Sequence, residues 1–332
     1  MKLFLVLICI LAGIVCLALL VAYICFRMAF YSKRDKRGSS SVLPMGEIYA
    51  KYADVMKNWT EKVSKIKYEE ITITSFDGLK LYGKYYEFSP DSPMEIMFHG
   101  YRGSAERDLC GGVERCFKLG RSVIITDQRG NGRSGGNVIT FGVNESIDCA
   151  SWAKYAAERF GNDRKIILSG ISMGASTVMM ATARELPESV VCVLADCGYT
   201  SARDIIKKVI CEMKLPADIL YPFVVLGARL YGKFDLESLT PKKAVASSKI
   251  PVILFHGEKD GFVPCEMSYE NYDACVSEKA VVTIPNAEHG MSYLVDGKLY
   301  LEKVAEFSTK IGLDTYVYEG DILTERGIAC GK

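Results

Sequence analysis

The stretch Lys165-Ile-Ile-Leu-Ser-Gly-Ile-Ser-Met-Gly-Ala-Ser176 decides the reading of this chain. Residues 166–168 form an apolar run of the kind a buried strand shows. The run breaks at Gly170-Ile-Ser-Met-Gly174, after which small and apolar residues (Ala175, Val178, Met179, Ala181, Ala183) continue as a helix. Strand, G-x-S-x-G, helix is the setting in which a serine sits on a turn sharp enough to push its hydroxyl out of a sheet. Glycines are needed two residues either side, because side chains there would collide with the neighbouring strand or helix. The helix N-terminus that follows favours negative charge developing nearby. Ser172 is therefore the candidate nucleophile.

Such a serine needs a base, an acid to orient that base, and donors for an oxyanion. The chain holds three histidines: His99, His256 and His289. His289 lies in Asn286-Ala-Glu-His-Gly290, after the last strand pattern and before the last helix pattern, where the order Ser…Asp/Glu…His puts the base. His99 and His256 each end a strand and precede glycine, and read as histidines packed under turns. The segment His256-Gly-Glu-Lys-Asp-Gly-Phe-Val-Pro264 offers Asp260 as the acid, with Glu258 behind it. Asp196, at the end of the strand after the elbow, is a second candidate. The expected oxyanion donors are the backbone N–H of Met173 and that of Tyr101, in the loop His99-Gly-Tyr-Arg-Gly103.

Working outward, strand and helix patterns alternate along most of the chain. Residues 70–75 and 80–88 alternate in period two around a Phe76-Asp-Gly turn and predict a hairpin. Buried-type strands are expected at 95–99, 122–126, 166–168, 190–195, 251–255 and 280–284. Helices are expected at about 107–119, 144–160, 264–275 and 299–311. This alternation predicts an α/β fold: a mostly parallel sheet covered on both faces by helices, with the first hairpin as its antiparallel edge. Residues 47–65 show a helical period, and packing on the main domain is the expectation for them.

Residues 3–26 are apolar and uncharged, roughly 36 Å long as a helix, against a bilayer core of about 30 Å. The run is too long for a signal-peptide core and lacks a clear A-x-A cleavage site, so an uncleaved transmembrane helix is expected. Lys2 precedes the span, while Arg27, Lys33, Arg34, Lys36 and Arg37 follow it. That asymmetry places the following domain on the cytoplasmic side. The expected organisation is an anchor at 1–27, a basic linker and helix at 28–67, a catalytic domain at 68–312 and a tail at 313–332, to which no role is assigned. A linker is read at 38–44.

Net charge is +1 over 332 residues, with no basic stripe in the folded part, so nucleic acid is not an expected partner. The twelve cysteines include no C-x-x-C pair, and with three histidines no metal site is expected. Cysteines such as Cys149, Cys192, Cys211 and Cys275 fall within strand and helix patterns and read as core packing. Gly130-Asn-Gly-Arg-Ser-Gly135 matches G-x-G-x-x-G, but a dinucleotide site needs its helix to begin inside the motif. Here the helix begins near Asn144. A glycine-rich turn is expected, and no cofactor.

Taken together, His99-Gly, Asp127-Gln-Arg-Gly-Asn-Gly-Arg-Ser134, Gly170-Ile-Ser-Met-Gly174, His256-Gly-Glu-Lys-Asp260 and Glu288-His-Gly290 resemble the α/β-hydrolase superfamily. Within it they look like the membrane-anchored hydrolases of the serine aminopeptidase and prolyl-oligopeptidase-like branch. The resemblance runs from about residue 68 to 311. It implies an α/β-hydrolase fold, a Ser172–His289–Asp260 triad, and cofactor-free hydrolysis of an ester, thioester or amide through an acyl-enzyme. It also implies a structural part for the 127–134 loop. Residues 199–248 stand where such hydrolases insert a helical cap, and their apolar content serves equally as an acyl-chain pocket or as the cap's own core. A small-molecule ester or acyl substrate is expected. Peptidase activity is the alternative, with Glu106, Asp108 or Glu212 to hold a substrate amine. A non-catalytic membrane-tethered binding module is the reading from another class. Oligomeric state stays open.

Overall fold

The computed structural model describes residues 1–33, 47–313 and 315–329. The linker read at 38–44, the cations Arg34, Lys36 and Arg37, and Asp314 and residues 330–332 of the tail lie outside them. In chain order the elements begin with α1 (Lys2–Ala29), α2 (Glu47–Ala50) and α3 (Ala53–Val63). The hairpin β1 (Glu69–Thr74) and β2 (Lys80–Tyr86) follows, then β3 (Met94–Phe98), α4 (Ala105–Asp108), α5 (Cys110–Lys118) and β4 (Ser122–Thr126). The middle of the chain gives α6 (Glu145–Phe160), β5 (Ile166–Ile171), α7 (Met173–Ala181) and β6 (Val190–Asp196). Next come α8 (Ala202–Glu212), α9 (Ala217–Gly227), a π-helical turn (Ala228–Gly232) and α10 (Pro241–Val245). The chain closes with β7 (Val252–Gly257), α11 (Glu266–Ala274), β8 (Lys279–Ile284), α12 (Ser292–Val295), α13 (Gly297–Lys310) and α14 (Ile322–Ala329).

The eight strands form one sheet in the order β1-β2-β4-β3-β5-β6-β7-β8. The β1–β2 and β2–β4 pairs are antiparallel and every later pair is parallel. The hairpin is thus the antiparallel edge that its alternating pattern predicts. The central strands are apolar throughout because both faces are covered. Along β5, Leu168 faces the core under α6 and α7, while Ile167 faces the opposite layer with Tyr300, Val304 and Phe307 of α13. Period two with both faces buried reads in sequence as a solid apolar run.

One charge interrupts that pattern. Glu95, in β3, is fully buried, ion-paired with Arg115 of α5 and 3.1 Å from Arg121 Nη1. Burial pushes its carboxyl up, but the two guanidinium groups outweigh this and hold it below the ordinary carboxylate range. Breaking such a pair on one side costs about 3–5 kcal/mol.

Other departures from the sequence reading are local. The helix expected at 47–65 is two, α2 and α3, with Met56 and Val63 buried and Trp59 against α5, where a Cβ on Gly111 would lie 2.6 Å from the Trp59 ring. It packs on the domain as expected. The tail has a structural part the sequence did not suggest. Ile322 and Leu323 of α14 are buried in the cluster around α5, and Arg326 donates to Phe88 O at 3.0 Å. The N-terminal apolar helix α1 is long and apolar enough to cross a membrane, and runs three residues past the apolar run. It is not separate from the rest of the chain. Ala22, Phe26 and Phe30 are buried against the cap and against Phe141, and Tyr31 bridges to Val138.

Candidate active site

Gly170 and Gly174 make the elbow possible in a measurable way. A Cβ on Gly170 would lie 2.3 Å from the Gly174 carbonyl, and one on Gly174 would lie 2.0 Å from Phe98 O. Ser172 takes φ 57 and ψ −118, a left-handed conformation that L residues adopt at a cost. The serine stands at the carboxyl end of β5, and the loops after β7 and β8 bring Asp260 and His289 to the same edge of the sheet.

There the sequence-expected residues meet. His289 Nε2 is 2.9 Å from Ser172 Oγ, and His289 Nδ1 is 2.7 Å from Asp260 Oδ2. A carboxylate only accepts, so Nδ1 carries the proton and Nε2 is free to accept from the serine hydroxyl. Asp260 Oδ1 in turn accepts from the backbone N–H groups of Phe262 and Val263, at 2.9 and 2.8 Å. The rival acids are engaged elsewhere. Asp196 is buried and accepts from Ser292 Oγ at 2.7 Å, and Glu258 accepts from Thr283 Oγ1 at 2.8 Å.

His256, read as a packed histidine, is more than that. Its Nε2 donates to Val263 O at 2.9 Å and lies 3.2 Å from the same Asp260 oxygen that holds His289. Its Nδ1 faces Ser268 Oγ at 2.6 Å. Burial raises the Asp260 carboxyl, but hydrogen bonds from His256 and His289 overcome it and hold the group down at about 2. Burial lowers His256, and its hydrogen bond to Asp260 more than reverses that, so the net direction is up. The spacing of His256 and Asp260 across one tight turn is the signal that would have exposed the pairing.

The side expected to hold an oxyanion is built from backbone. Gly100 abuts Ser172, with a Cβ there falling 3.6 Å from Ser172 Cβ. Among the described residues no protein acceptor takes the N–H of Met173 or of Tyr101. His99 behaves as read from sequence: it is buried, accepts from Gln128 N at 3.0 Å and shapes this loop. The Gly130–Gly135 motif is a closed turn. Asp127 accepts from Ala105 N and Arg133 N, and a Cβ on Gly132 would lie 2.2 Å from its carboxyl. The next helix starts at Glu145, outside the motif.

Two features went unread. Tyr49 Oη donates to His289 O at 3.1 Å, tying the segment before the domain to the candidate base. Tyr101 Oη donates to Ala29 O at 2.7 Å, and Arg102 Nη2 donates to Met28 O and Tyr31 O at 2.8 and 3.0 Å. The loop expected to hold the oxyanion is therefore fastened to the end of α1. Cys197 lies with Asp260 and His289 in a cluster whose ligand-type atoms are within 4.8 Å of one another. Burial pushes its thiol well above the ordinary range.

An apolar cavity of about 470 Å³ opens over Ser172. Its walls come from the loops at Tyr101 and Phe141, from α8 and α9 of the cap, and from Cys25, Met28 and Ala29 of α1. The cap's apolar residues thus serve both purposes: Ile205, Ile206, Ile210 and Val224 belong to a buried cluster and also face the cavity.

Residues 96–210 match a family model described as the alpha/beta hydrolase fold. The chain is 25% identical over 262 residues to the uncharacterized protein YqkD of Bacillus subtilis (strain 168), covering 76% of this chain and 86% of that protein. It is 26% identical over 264 residues to protein bem46 of Schizosaccharomyces pombe, covering 77% and 81%. Among solved structures it resembles the Pyrococcus furiosus esterase Pf2001, with a TM-score of 0.62, 26% identity, and coverage of 76% of this chain and 94% of that one. Sheet, elbow and matches together give this chain the alpha/beta hydrolase fold. Its resemblance to an esterase supports a hydrolase as its broad class.

Proposed function

We propose that the protein is a membrane-anchored serine hydrolase that cleaves a carboxylic ester or thioester through an acyl-enzyme. The observation that carries this reading is the continuous chain Ser172 Oγ–His289 Nε2, His289 Nδ1–Asp260 Oδ2, at 2.9 and 2.7 Å. In it, His289 takes the Ser172 proton as Oγ attacks the acyl carbon. The N–H groups of Met173 and Tyr101 meet the oxyanion, and the C–O or C–S bond breaks as His289 returns the proton to the leaving group. Water, deprotonated by His289, then attacks the acyl-enzyme, releases the acid and restores the serine. Asp260 keeps the imidazole in the tautomer that both half-reactions need.

The peptidase alternative draws less support. Glu106 is ion-paired with Lys84, Asp108 with Arg107 and Glu212 with Lys208, so each acid suggested for holding a substrate amine is already neutralised by a cation. A binding module has no use for a serine held in a left-handed conformation with its hydroxyl on an imidazole. The packing of Ala22, Phe26 and Phe30 favours an uncleaved anchor over a signal sequence, since cleavage would strip a wall from the cavity. The cations after the span favour a cytoplasmic domain.

The test is labelling of the full chain by a fluorophosphonate, with turnover of a short-chain nitrophenyl ester measured alongside. Labelling and turnover are expected, with Ser172→Ala and His289→Ala each lowering turnover by at least about 10³-fold. A folded wild type that neither labels nor turns over ester would refute the reading.

A further inference from the structure

The cavity over Ser172 and a second, polar cavity beside it share one residue, Arg102. We propose that the two are the acyl-chain and phosphate sites for a membrane glycerophospholipid, with α1 as a wall of the acyl site rather than a tether alone. This rests on the serine-hydrolase reading above and specifies its substrate class.

The first cavity favours an apolar occupant. Beyond Ser172 and Arg102 its walls are mostly hydrocarbon, aromatic ring and sulfur. Of the hydroxyls that reach it, Tyr101 Oη is used by Ala29 O and Tyr199 Oη by Phe141 O at 3.1 Å. At about 470 Å³ it falls in the range of small-molecule sites, roughly 300–1,000 Å³. A ligand that fills it leaves its polar group at the serine and its apolar body between α1 and the cap.

The position of α1 says where such a ligand comes from. About 20 helical residues cross a bilayer core of about 30 Å. The 28 residues of α1 exceed that, and it becomes buried against the domain from Ala22 onward. Cys25, Met28 and Ala29, the residues that line the cavity, therefore fall at the boundary where the bilayer ends. The cap reaches the same level, for Tyr231 Oη donates to Leu19 O at 3.1 Å and a Cβ on Gly227 would lie 2.5 Å from Ala22 O. Around this contact the cap exposes Ile219, Leu230, Met213 and Leu215, and the last two also line the cavity. An acyl chain can pass from bilayer to cavity along apolar surface. Each methylene kept out of water on that path favours binding by roughly fourfold.

The second cavity, about 380 Å³, is lined by Arg27, Tyr31, Ser32, Lys33 and Arg102. None of these three cations forms an ion pair among the described residues. Arg27 lies over the Tyr31 ring at 3.8 Å, and Arg102 is pinned by the carbonyls of Met28 and Tyr31. Three cations with no ion pair among the described residues, set at the membrane boundary, match a phosphate, which takes several charge-assisted hydrogen bonds at once. In a glycerophospholipid the phosphate and the ester carbonyl are separated by a few bonds of glycerol. Here Arg102 follows Tyr101, the proposed oxyanion donor, so both sites meet at the scissile ester. Hydrolysis breaks the acyl C–O bond, leaves the glycerol oxygen with the proton from His289, and releases a fatty acid after water adds.

The experiment uses the full chain in detergent micelles, with 1-palmitoyl lysophosphatidylglycerol, 1-palmitoylglycerol, and a series of nitrophenyl esters from acetate to palmitate. The expected kcat/KM for the lysophospholipid exceeds that for palmitoylglycerol by about tenfold or more, the effect of one or two charge-assisted contacts. Arg27→Ala with Arg102→Ala collapses that ratio towards one, and Arg27→Lys restores part of it. Ala29→Trp shifts the optimum among nitrophenyl esters to shorter chains. Melting temperatures within a few degrees of wild type establish that the variants fold. Arg229→Ala, outside both cavities, is the control and leaves the ratio and the chain-length optimum unchanged. Turnover of nitrophenyl acetate without preference for phosphate or for long chains would overturn the lipid assignment and leave the serine hydrolase standing. Absence of fluorophosphonate labelling would remove the reading beneath it.

Discussion

Asp260 carries two histidines on one oxygen, and this shapes what each side chain can do. Its Oδ2 faces His289 at 2.7 Å and His256 at 3.2 Å, while Oδ1 is filled by two backbone N–H groups. The carboxylate is thus fixed before substrate arrives and cannot swing away from the base. In the proposed mechanism His256 acts through Asp260 rather than on substrate, as a positioning residue. His256→Leu should lower kcat for a short ester by about tenfold, the worth of one hydrogen bond to a charged group, with KM within about twofold. His256→Gln, which keeps a donor nitrogen, should recover part of that loss. Steady-state kinetics decides: a KM effect with kcat intact would make His256 a packing residue only. Ser172, Asp260 and His289, which the fold brings together, stood out in sequence because each follows a strand and they fall in the order Ser…Asp…His. His256 did not stand out, since its place at a strand end before glycine does not say which neighbour its ring will reach; only its four-residue spacing to Asp260 does.

Among the elements, the junction of β5, α7 and β3 bears the closest backbone contacts. Gly174, in the first turn of α7, lies beside Phe98 O and His99 O, the carboxyl end of the strand that leads to Tyr101. Gly174→Ala forces α7 away from β3 and moves Ser172 relative to the Tyr101 N–H. The expected cost is about 1–3 kcal/mol of stability from overpacking, with labelling by a fluorophosphonate slowed by about 10²-fold or more. Labelling at the wild-type rate would show that the elbow tolerates the displacement. Strands and helices of this region were readable because period and length agree with burial. Glu95 was not readable in the same way. A glutamate in an apolar strand signals conflict, and its resolution by Arg115 and Arg121 depends on a packing that spacing does not reveal.

At the scale of the molecule, what sequence could not supply is how the ends join the middle. An apolar run of 24 residues announces a membrane helix by length alone, and nothing in it distinguishes the turns that sit in lipid from those that sit on protein. The distinction lies in long-range fit: Gly227 admits Ala22 and Phe26, and Phe30 meets Phe141 and Phe234 edge to face at 5.7 and 5.2 Å. A soluble fragment cut at Tyr49 would therefore lose core, not merely an anchor. Removing a buried phenylalanine costs about 3–5 kcal/mol, and two are lost, together with the bridge from Tyr31 to Val138. A chain beginning at Leu19 keeps them. Thermal melts in the same detergent should place the Tyr49 fragment about 10 °C or more below the Leu19 fragment, at a few degrees per kcal/mol. Only the longer fragment should keep its preference for long acyl esters, because Cys25, Met28 and Ala29 remain to close the cavity. Equal melting temperatures would mean that the last turns of α1 contribute no stability, and that the hydrolase domain is complete without them.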